Sequence, residues 1–306
     1  MDGPKLVNTL PLTEECRHYE DISEVPSDIQ KYWYQRYSIW EHYDYDIRMT
    51  DDAWFGVTPQ PVARKIAEDL DPGVATTVID MFAGAGGNAI AFALSEKWEH
   101  VIAIEKDPST LACAQHNAEV YGVREHITFV LGDCFEFLAL LNPPTSSPSL
   151  STTTTARATA TLNLDADPGI DPRLYLDLSK TVLFASPPWG GVSYRDQDVF
   201  DLSTMQPYNL AQIHAACRPL KHVLYLPRTS DLRQIAKLAP TNPNGDGDGG
   251  SKEKIEVVQY CMDGASKALV AYIPPSPTTS SPSQSVSSQS SHSDSSGSDV
   301  DSDSDN

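Results

Sequence analysis

The sequence lacks any run of about 18 apolar residues, so no membrane-spanning helix is predicted. It also lacks a basic patch followed by an apolar run near its start, which argues against a secretory signal. Its five cysteines are scattered singly with no C-x-x-C pair, a pattern typical of reduced thiols rather than a disulfide framework or a zinc cage. These absences predict a soluble intracellular protein without a metal site.

Positive charge is scarce, with 22 Lys and Arg against 42 Asp and Glu and a net charge of −20 over 306 residues. Proteins that coat nucleic acids are basic as a whole, so binding by bulk charge is excluded, although a local basic site is not. The deficit is uneven, because residues 1–142 carry −14 and residues 173–273 carry +1. A polyanionic ligand is therefore expected at the face built by the second half of the chain.

Composition divides the chain into regions of different character. We predict a partly flexible N-terminal arm (1–26), an aromatic-rich helical extension (27–70), a main domain (71–273) with a disordered insert (143–172) and a loop (241–252), and a disordered acidic Ser-rich tail (274–306). Within the extension, K-Y-W-Y-Q-R-Y-S-I-W-E-H-Y-D-Y (31–45) favours one helix. That helix either packs its rings on the main domain or forms a lid over a site, and one element can do both.

Short runs rich in β-branched residues alternate with helical patterns in the main domain. The predicted strands are 77–82, 101–105, 127–131, 181–186 and 223–226, and the predicted helices are 88–97, 109–121, 202–217 and 231–238. Two further strands, 255–260 and 268–273, are joined by an Asp-Gly turn and predict a hairpin. The alternation predicts an α/β fold with a doubly wound, mostly parallel, seven-stranded sheet that ends in an antiparallel hairpin.

A glycine-rich turn, D-M-F-A-G-A-G-G-N (80–88), follows the first predicted strand. Gly84 and Gly86 allow a close backbone approach that a side chain would block, and the next helix presents free N–H groups. Glu105 ends the second strand about 20 residues farther on, where an acid grips ribose hydroxyls. Asp133 follows the third strand, where an acid can accept a hydrogen bond from an adenine amine. Together these residues predict an adenine nucleoside site.

The turn departs from a dinucleotide fingerprint, because Ala89 stands where a third glycine is expected and no second nucleotide-binding half follows. Asp80, at the end of the first strand, favours a ligand with an ammonium group over a pyrophosphate. S-adenosylmethionine has that ammonium group, an adenosine and a cationic sulfonium. The pattern therefore predicts a Rossmann-like, class I methyltransferase fold that uses this cofactor.

The segment S-P-P-W-G-G (186–191) follows the fourth predicted strand, at the edge where ligands of such sheets bind. Pro187 and Pro188 have no N–H groups, so they fix the backbone and leave carbonyls free to accept from an amine. Ser186 before them and Trp189 after them can bracket a planar nitrogen base by hydrogen bonding and by stacking. This arrangement resembles the active-site tetrapeptide of methyltransferases that act on exocyclic or amide nitrogens.

Beyond this tetrapeptide, the chain resembles the trimethylguanosine synthases, which hypermethylate the 7-methylguanosine cap of small nuclear and nucleolar RNAs. The matching segments are K-Y-W-Y-Q-R-Y (31–37), W-F-G-V-T-P (54–59), D-M-F-A-G-A-G-G-N (80–88), V-I-A-I-E-K-D-P (101–108), N-A-E-V-Y-G (117–122), S-P-P-W-G-G-V-S-Y (186–194), F-D-L (200–202) and Y-L-P-R (225–228). The combination of S-P-P-W-G-G with Y-L-P-R is much more specific than either piece.

The resemblance implies roles for residues at matching positions. The catalytic set comprises Ser186, the Pro187 carbonyl and Trp189, of which the first two hold the N2 amine and the third stacks on the cationic 7-methylguanine. The residues implied to contact the cap are Trp189, Asn88, Arg228 and Arg48, the two arginines through its phosphates. The residues implied to line the cofactor pocket are Phe55, Thr58, Asp80, Gly84, Gly86, Glu105 and Asp133.

Three positions depart from the family pattern. Arg48 stands where relatives usually have Lys, which keeps the charge but changes the geometry of a phosphate contact. Gly56 replaces a Ser, which removes one hydroxyl that could form a hydrogen bond, and Glu105 replaces the usual Asp with a longer reach.

The resemblance further implies two successive in-line methyl transfers from S-adenosylmethionine to the cap N2, giving 2,2,7-trimethylguanosine without a metal or a covalent enzyme intermediate. It implies a monomer in the nucleus and nucleolus, with the cytoplasm as a second location, that acts on capped small nuclear and nucleolar RNA and is recruited by their ribonucleoprotein proteins. Two other functions stay open at this point. One is methylation of an exocyclic amine within RNA or DNA, and the other is a non-catalytic cap-binding scaffold.

Overall fold

The computed structural model describes residues 3–141, 176–191, 197–218, 220–242 and 251–276. The predicted insert at 143–172, most of the loop at 241–252 and nearly all of the tail lie outside these residues, as do positions 192–194 of the S-P-P-W-G-G-V-S-Y segment. No helix in the described ranges is long and apolar enough to cross a membrane.

Eight strands form the main sheet. They are β1 (Lys5–Leu6), β2 (Thr77–Asp80), β3 (His100–Glu105), β4 (Ile127–Leu131), β5 (Thr181–Ala185), β6 (Lys221–Pro227), β9 (Glu256–Met262) and β10 (Ala265–Ile273), while β7 (Thr241–Asn242) and β8 (Ser251–Lys252) pair separately. The order across the main sheet is β1-β4-β3-β2-β5-β6-β10-β9. The five central strands, from β4 to β6, are parallel, and β9 and β10 are antiparallel.

This sheet confirms the predicted α/β class, the mostly parallel core and the C-terminal hairpin, but the predicted number of seven strands is wrong by one. The extra strand is β1, which pairs antiparallel with β4 through Lys5 opposite Leu131 and Leu6 opposite Val130. Two residues are too few to show the alternation that marks a strand in sequence. The β9–β10 hairpin turns through Asp263 and Gly264, both at positive φ, as an Asp-Gly hairpin turn requires.

Helices cover both faces of the parallel core. They are α1 (Gln30–Trp33), α2 (Arg36–Ile39), α3 (Ala53–Gly56), α4 (Gln60–Asp69), α5 (Gly87–Leu94), α6 (Pro108–Val120), α7 (Cys134–Leu141), α8 (Leu210–Cys217) and α9 (Leu232–Ala236). Alternate strand residues enter different cores, as Val78 packs with α4, α5, α6 and the extension and Ile79 packs with α7, α8 and α9. Because both faces are covered, the parallel strands are buried and mostly apolar between their end residues.

The extension is not one helix, contrary to the prediction for residues 31–45. It contains the two single-turn helices α1 and α2, followed by turns up to residue 46. Aromatic residues are mediocre helix formers, and here tertiary burial of Trp33, Trp40 and Tyr43 determines the backbone path. The extension packs into the same core as α4, α5 and α6.

The predicted helix over 202–217 is also divided. A 3-10 turn at Leu202–Thr204 is followed by an irregular stretch, and α8 begins only at Leu210. Asn209 and Gln212 form a reciprocal capping box at this start. Pro207 lies just before it, and a proline in a helix interior removes one hydrogen bond and collides with the preceding turn.

All five cysteines are free thiols, as expected from their spacing. Cys16, Cys113, Cys134 and Cys217 are buried in the two cores, whereas Cys261 on β9 is exposed.

Candidate active site

Five parallel strands end at one edge of the sheet, and each end carries a residue that the sequence singled out. Asp80 and Glu105 are the last residues of β2 and β3, and Asp133 lies two residues past β4. Ser186 and Arg228 directly follow β5 and β6. Strand order reverses between β2 and β5, and in such sheets the ligand crevice lies outside the carboxyl ends at this reversal.

The glycine turn between β2 and α5 is tied to the end of β3. Gly84 and Gly86 both have positive φ, at 53° and 96°. A side chain at Gly86 would also meet Ile90 and Ala114 at 3.2–3.3 Å, so only glycine fits there. The Gly84 N–H donates to Glu105 Oε2 at 3.0 Å, which brings two of the predicted cofactor residues into direct contact.

Asp80 is fully buried, and burial raises the pKa of its carboxyl to about 7, with the neighbouring Glu105 charge adding to the rise. The backbone N–H groups of Phe82 and Ala89 offset only part of this effect. Asp80 Oδ1 accepts from Phe82 at 3.3 Å, whereas Oδ2 is buried with no hydrogen-bond partner among the described residues. Such an acceptor lacks the compensation that buried polar atoms normally have, which suits a cationic N–H donor.

Glu105 and Asp133 are held by backbone N–H groups. Glu105 Oε1 accepts from Lys106 and Asp107 at 2.8 and 2.9 Å, and burial nevertheless raises the pKa of this carboxyl. Asp133 Oδ1 accepts from two N–H groups in the first turn of α7, and its Oδ2 accepts from the Tyr208 hydroxyl at 2.8 Å. Both carboxylates are therefore oriented by the protein before any ligand arrives.

Asn88 and Thr58 lie in contact, which joins the glycine turn to the segment after α3. The Asn88 amide nitrogen donates to the Thr58 hydroxyl at 3.1 Å, and both side chains are buried. Asn88 Oδ1 is a second buried acceptor with no partner in the described chain. Phe55, on α3, is 41% exposed and meets the Tyr32 ring edge-on at 5.5 Å.

The S-P-P-W turn continues directly from β5, with Pro187 buried and Ser186 and Trp189 half-buried. The Trp189 ring stacks on Tyr225 of the adjacent strand β6, with centroids 5.8 Å apart and planes 16° apart. Tyr225 thus supports the Trp189 ring from the protein side, and the half-exposed Trp189 can offer a planar surface to a ligand.

Two basic residues, Arg228 and Lys267, stand at the end of β6 and at the facing position of β10. Arg228 is exposed and has no ion pair with a described carboxylate. The register that pairs Ala268 with Pro227 places Lys267, in a β-bulge of β10, beside Arg228. This pair forms a local basic site in an otherwise acidic chain. Among the described residues, no cluster of three His, Cys, Asp or Glu side chains could hold a metal ion.

Arg48 is placed differently from Arg228. Its guanidinium forms an ion pair with Asp46 at 2.6 Å and donates to the Cys16 carbonyl at 3.3 Å. Its backbone is fixed by Asn117 on α6, whose amide accepts from Arg48 N–H and donates to Arg48 O and Ala85 O. Asn117 is fully buried, so one side chain joins the extension to the glycine turn.

Several residues of this edge escaped the sequence reasoning. Asn117 and Tyr225 lie in segments that carried the resemblance, but nothing in the sequence showed that one bridges two segments and the other supports Trp189. Tyr208 was hidden inside a predicted helix. Lys267 became recognisable only through the register of the hairpin.

Comparisons with known proteins show the family of the chain. Residues 75–276 match a family model described as RNA cap guanine-N2 methyltransferase. A trimethylguanosine synthase of Schizosaccharomyces pombe is 29% identical over 252 residues, which cover 81% of this chain and 87% of that protein. A trimethylguanosine synthase of Saccharomyces cerevisiae is 28% identical over 213 residues, which cover 68% of this chain and 57% of that protein.

Among solved structures, a putative methyltransferase from Porphyromonas gingivalis superposes with a TM-score of 0.50 and 14% identity. The match covers 82% of this chain and 51% of that one, and at this identity it concerns the fold alone. The fold is that of the class I methyltransferases.

The Asn117 contacts predict that Asn117→Ala lowers the free energy of unfolding by about 2–4 kcal/mol, because several buried hydrogen bonds are lost and their partners are left unpaired. It should also release the segment around Arg48, which urea unfolding and limited trypsin digestion with mass analysis of the fragments would detect.

The matched control is Gln115→Ala on the same helix. Among the described residues, the Gln115 amide bonds to Leu10 and Val7 of the N-terminal arm and to no others. This variant should keep Arg48 protected from trypsin. Equal protection of Arg48 in wild type and Asn117→Ala would contradict the assigned role of Asn117.

Proposed function

Because this chain belongs to the RNA cap guanine-N2 methyltransferase family, we propose that the carboxyl edge of its sheet is where the N2 amine of a 7-methylguanosine cap is methylated. The chain is a cap guanosine-N2 methyltransferase that uses S-adenosylmethionine. The observation that carries the site assignment is the S-P-P-W turn beside the strand reversal, next to the buried acids of β2 and β3.

The residues at the glycine turn fit S-adenosylmethionine. Asp80 Oδ2 and Asn88 Oδ1 are buried acceptors with no partner among the described residues. An ammonium group, which carries several N–H donors, would provide these oxygens with the hydrogen bonds that buried acceptors normally have. Asp80 would hold the ammonium group, with Asn88 and Thr58 beside it. We thus assign Asn88 to the cofactor rather than to the cap contact that the resemblance implies. Gly84 and Gly86 leave the backbone accessible there, and Phe55 would form part of the wall.

The two remaining acids would bind the adenosine part. A carboxylate has about four lone-pair sites, and Glu105 uses three of them on backbone N–H groups. The remaining site can accept from a ribose hydroxyl. Asp133 likewise uses three sites and keeps one for the adenine amine.

When bound, the cofactor supplies a methyl group on a cationic sulfur for direct in-line displacement by the amine. The chain mainly positions the amine, whose lone pair is delocalised into the purine. The Ser186 side chain and the Pro187 carbonyl accept from its protons, which orients the lone pair and raises electron density on nitrogen. Each transfer forms an N–C bond and breaks the methyl–sulfur bond, so S-adenosylhomocysteine leaves and one N2 proton is lost to water. Two rounds would give the 2,2,7-trimethylguanosine cap.

Cap recognition follows from the stacked pair and the basic residues. Trp189, held by Tyr225, stacks on the 7-methylguanine ring, and the ring's positive charge adds a cation–π contribution of about 0.5–2 kcal/mol. Arg228, with Lys267 beside it, binds the phosphate chain. Arg48 can bind a phosphate only if its guanidinium breaks the ion pair with Asp46 or contacts Asp46 and the phosphate at the same time.

The substrates we propose are capped small nuclear and nucleolar RNAs, delivered by their ribonucleoprotein proteins to a monomeric enzyme in the nucleus. The resemblance to trimethylguanosine synthases supports this. The net charge of −20 supports recognition centred on the cap rather than on a long stretch of RNA backbone.

Incubation of the protein with S-adenosylmethionine and 7-methyl-GTP should add one and then two methyl groups, seen by mass spectrometry, while unmethylated GTP gains none. The difference is expected because only the 7-methylated ring is cationic. Binding of S-adenosylmethionine without methylation of 7-methyl-GTP would instead favour an amine within RNA or DNA. Absence of cofactor binding would favour a scaffold.

Replacing Trp189 by Ala should lower methylation of 7-methyl-GTP by at least 100-fold. The variant loses the stacking surface and its cation–π contribution of up to about 2 kcal/mol. Without the stacked ring, the amine is also no longer held in line with the methyl group. Trp189→Phe should keep part of the activity, and cofactor affinity should stay within about threefold in both variants. The control is Trp98→Ala, which removes a tryptophan near the opposite edge of the sheet. Full turnover by Trp189→Ala would exclude the stacking role.

The raised pKa of Asp80, about 7, predicts a pH dependence of cofactor affinity. Below pH 7 the carboxyl becomes protonated in the free protein and no longer attracts a cation, so affinity should fall by up to tenfold per pH unit. Calorimetry from pH 5 to 7.5 would measure this slope.

Asp80→Asn should bind the cofactor weakly at all these pH values and remove the slope. Glu99→Gln, which changes an exposed acid just before β3, should keep both the affinity and the slope of the wild type. An unchanged slope in Asp80→Asn would assign the titration to another group.

A further inference from the structure

Tyr208 lies at the adenosine end of the proposed pocket, although neither its motif context nor the resemblance gives it a role. We propose that Tyr208 is a positioning residue for the cofactor: its hydroxyl fixes the Asp133 carboxylate so that one lone pair faces the adenine amine, and its ring closes that end of the pocket. The proposal rests on the proposed function, because it assumes that Asp133 binds the adenine.

The hydrogen bonds of Asp133 support this assignment. Its Oδ1 is used by the backbone N–H groups of Phe135 and Glu136, at 2.8 and 3.2 Å. Among the described residues, its Oδ2 accepts from the Tyr208 hydroxyl alone, at 2.8 Å. An ionised oxygen accepts two hydrogen bonds, so Oδ2 keeps one site whose direction is set by Tyr208. Without that hydroxyl, Oδ2 would keep its two sites with no partner to orient them.

Rings on three separate segments form a cluster that includes Tyr208, the partner of this carboxylate. The Tyr208 ring lies 4.4 Å from Phe135 and 6.2 Å from Phe82, measured between centroids, and Phe82 lies 6.4 Å from Phe135. All three rings are half-buried rather than enclosed in a core. Half-exposed aromatic faces beside an oriented acceptor suit a flat base that carries an exocyclic amine.

The position of Tyr208 is fixed from both sides along the chain. On one side, Gln206 lies close to Gly190. A side chain at position 190 would place its Cβ 3.4 Å from the Gln206 backbone nitrogen. On the other side, Asn209 starts α8 with its reciprocal capping box. The hydroxyl is therefore presented to Asp133 by a segment that is held on both sides, which lowers the entropy cost of holding the acid in place.

The ionisation of Tyr208 is consistent with a permanent donor. Burial and the bond to Asp133 raise the pKa of Tyr208 to about 12, and the nearby Cys134 and Glu136 act in the same direction. The hydroxyl therefore keeps its proton throughout the pH range of ordinary assays.

Tyr208→Phe is the decisive variant, because it keeps the ring and removes only the hydroxyl. Calorimetry should compare S-adenosylhomocysteine with S-inosylhomocysteine, in which a carbonyl replaces the adenine amine. Wild type should prefer the adenosyl compound, because an oriented acceptor discriminates against a ligand without the matching donor. Tyr208→Phe should bind the adenosyl compound roughly tenfold more weakly and the inosyl compound almost unchanged. In turnover, KM for S-adenosylmethionine should rise while kcat stays within about twofold.

Two controls separate this role from a general structural one. Tyr260→Phe breaks a similar hydrogen bond, from Tyr260 to Asp69, far along the sheet at β9, and should leave both affinities unchanged. In an Asp133→Asn background, Tyr208→Phe should have little further effect, because Tyr208 acts through Asp133.

The proposal would be overturned if Tyr208→Phe bound both compounds more weakly by the same factor. It would also be overturned if Tyr208→Phe kept the wild-type affinity for the adenosyl compound and the wild-type preference over the inosyl compound. Failure of the wild-type protein itself to bind S-adenosylhomocysteine would overturn the proposed function together with this inference, and that result is distinct from either of the others.

Discussion

The site depends on a carboxylate that the fold holds away from water. Removing an ion from water costs on the order of several kcal/mol even after relaxation, and Asp80 recovers only part of this from nearby N–H groups. Glu105 adds a second, like charge at the next strand end. The apolar cores on both faces of the sheet must offset this unfavourable pair. A bound cation would relieve it, so cofactor binding and folding stability are linked in this protein.

The extension completes this arrangement rather than merely covering it. Thr58, which follows α3, accepts from Asn88 of the glycine turn, and Asn117 bonds both Arg48 and Ala85. The buried aromatic side chains of the extension share a core with the helices on one face of the sheet. The extension and the glycine turn are therefore expected to unfold together, and a change in one displaces the acceptors of the other.

The sequence allowed the strands and their carboxyl ends to be predicted, because strands buried on both faces are apolar throughout and parallel strands end at one edge. That placed Asp80 and Glu105 correctly at the ends of β2 and β3, and Asp133 just past the end of β4. It could not show which lone pairs of these acids are already used, since their partners are backbone N–H groups and a tyrosine hydroxyl from another segment.

Elements set by long-range contacts were the least predictable. Strand β1 has two residues and exists only because β4 offers an open edge. The extension has a helical composition, but burial of its rings divides it into single turns. Tyr208 fell inside a predicted helix, so its position beside Asp133 had no signal in the sequence.

The uneven exposure of the thiols has a practical consequence. Four of the five cysteines are buried, so a maleimide dye added to the folded protein should attach to Cys261 without prior mutagenesis. Cys261 pairs with Ser266 in the hairpin, next to the bulge that holds Lys267. A fluorophore there would lie at the phosphate-binding end of the proposed pocket and could report the arrival of a capped RNA by a change in emission.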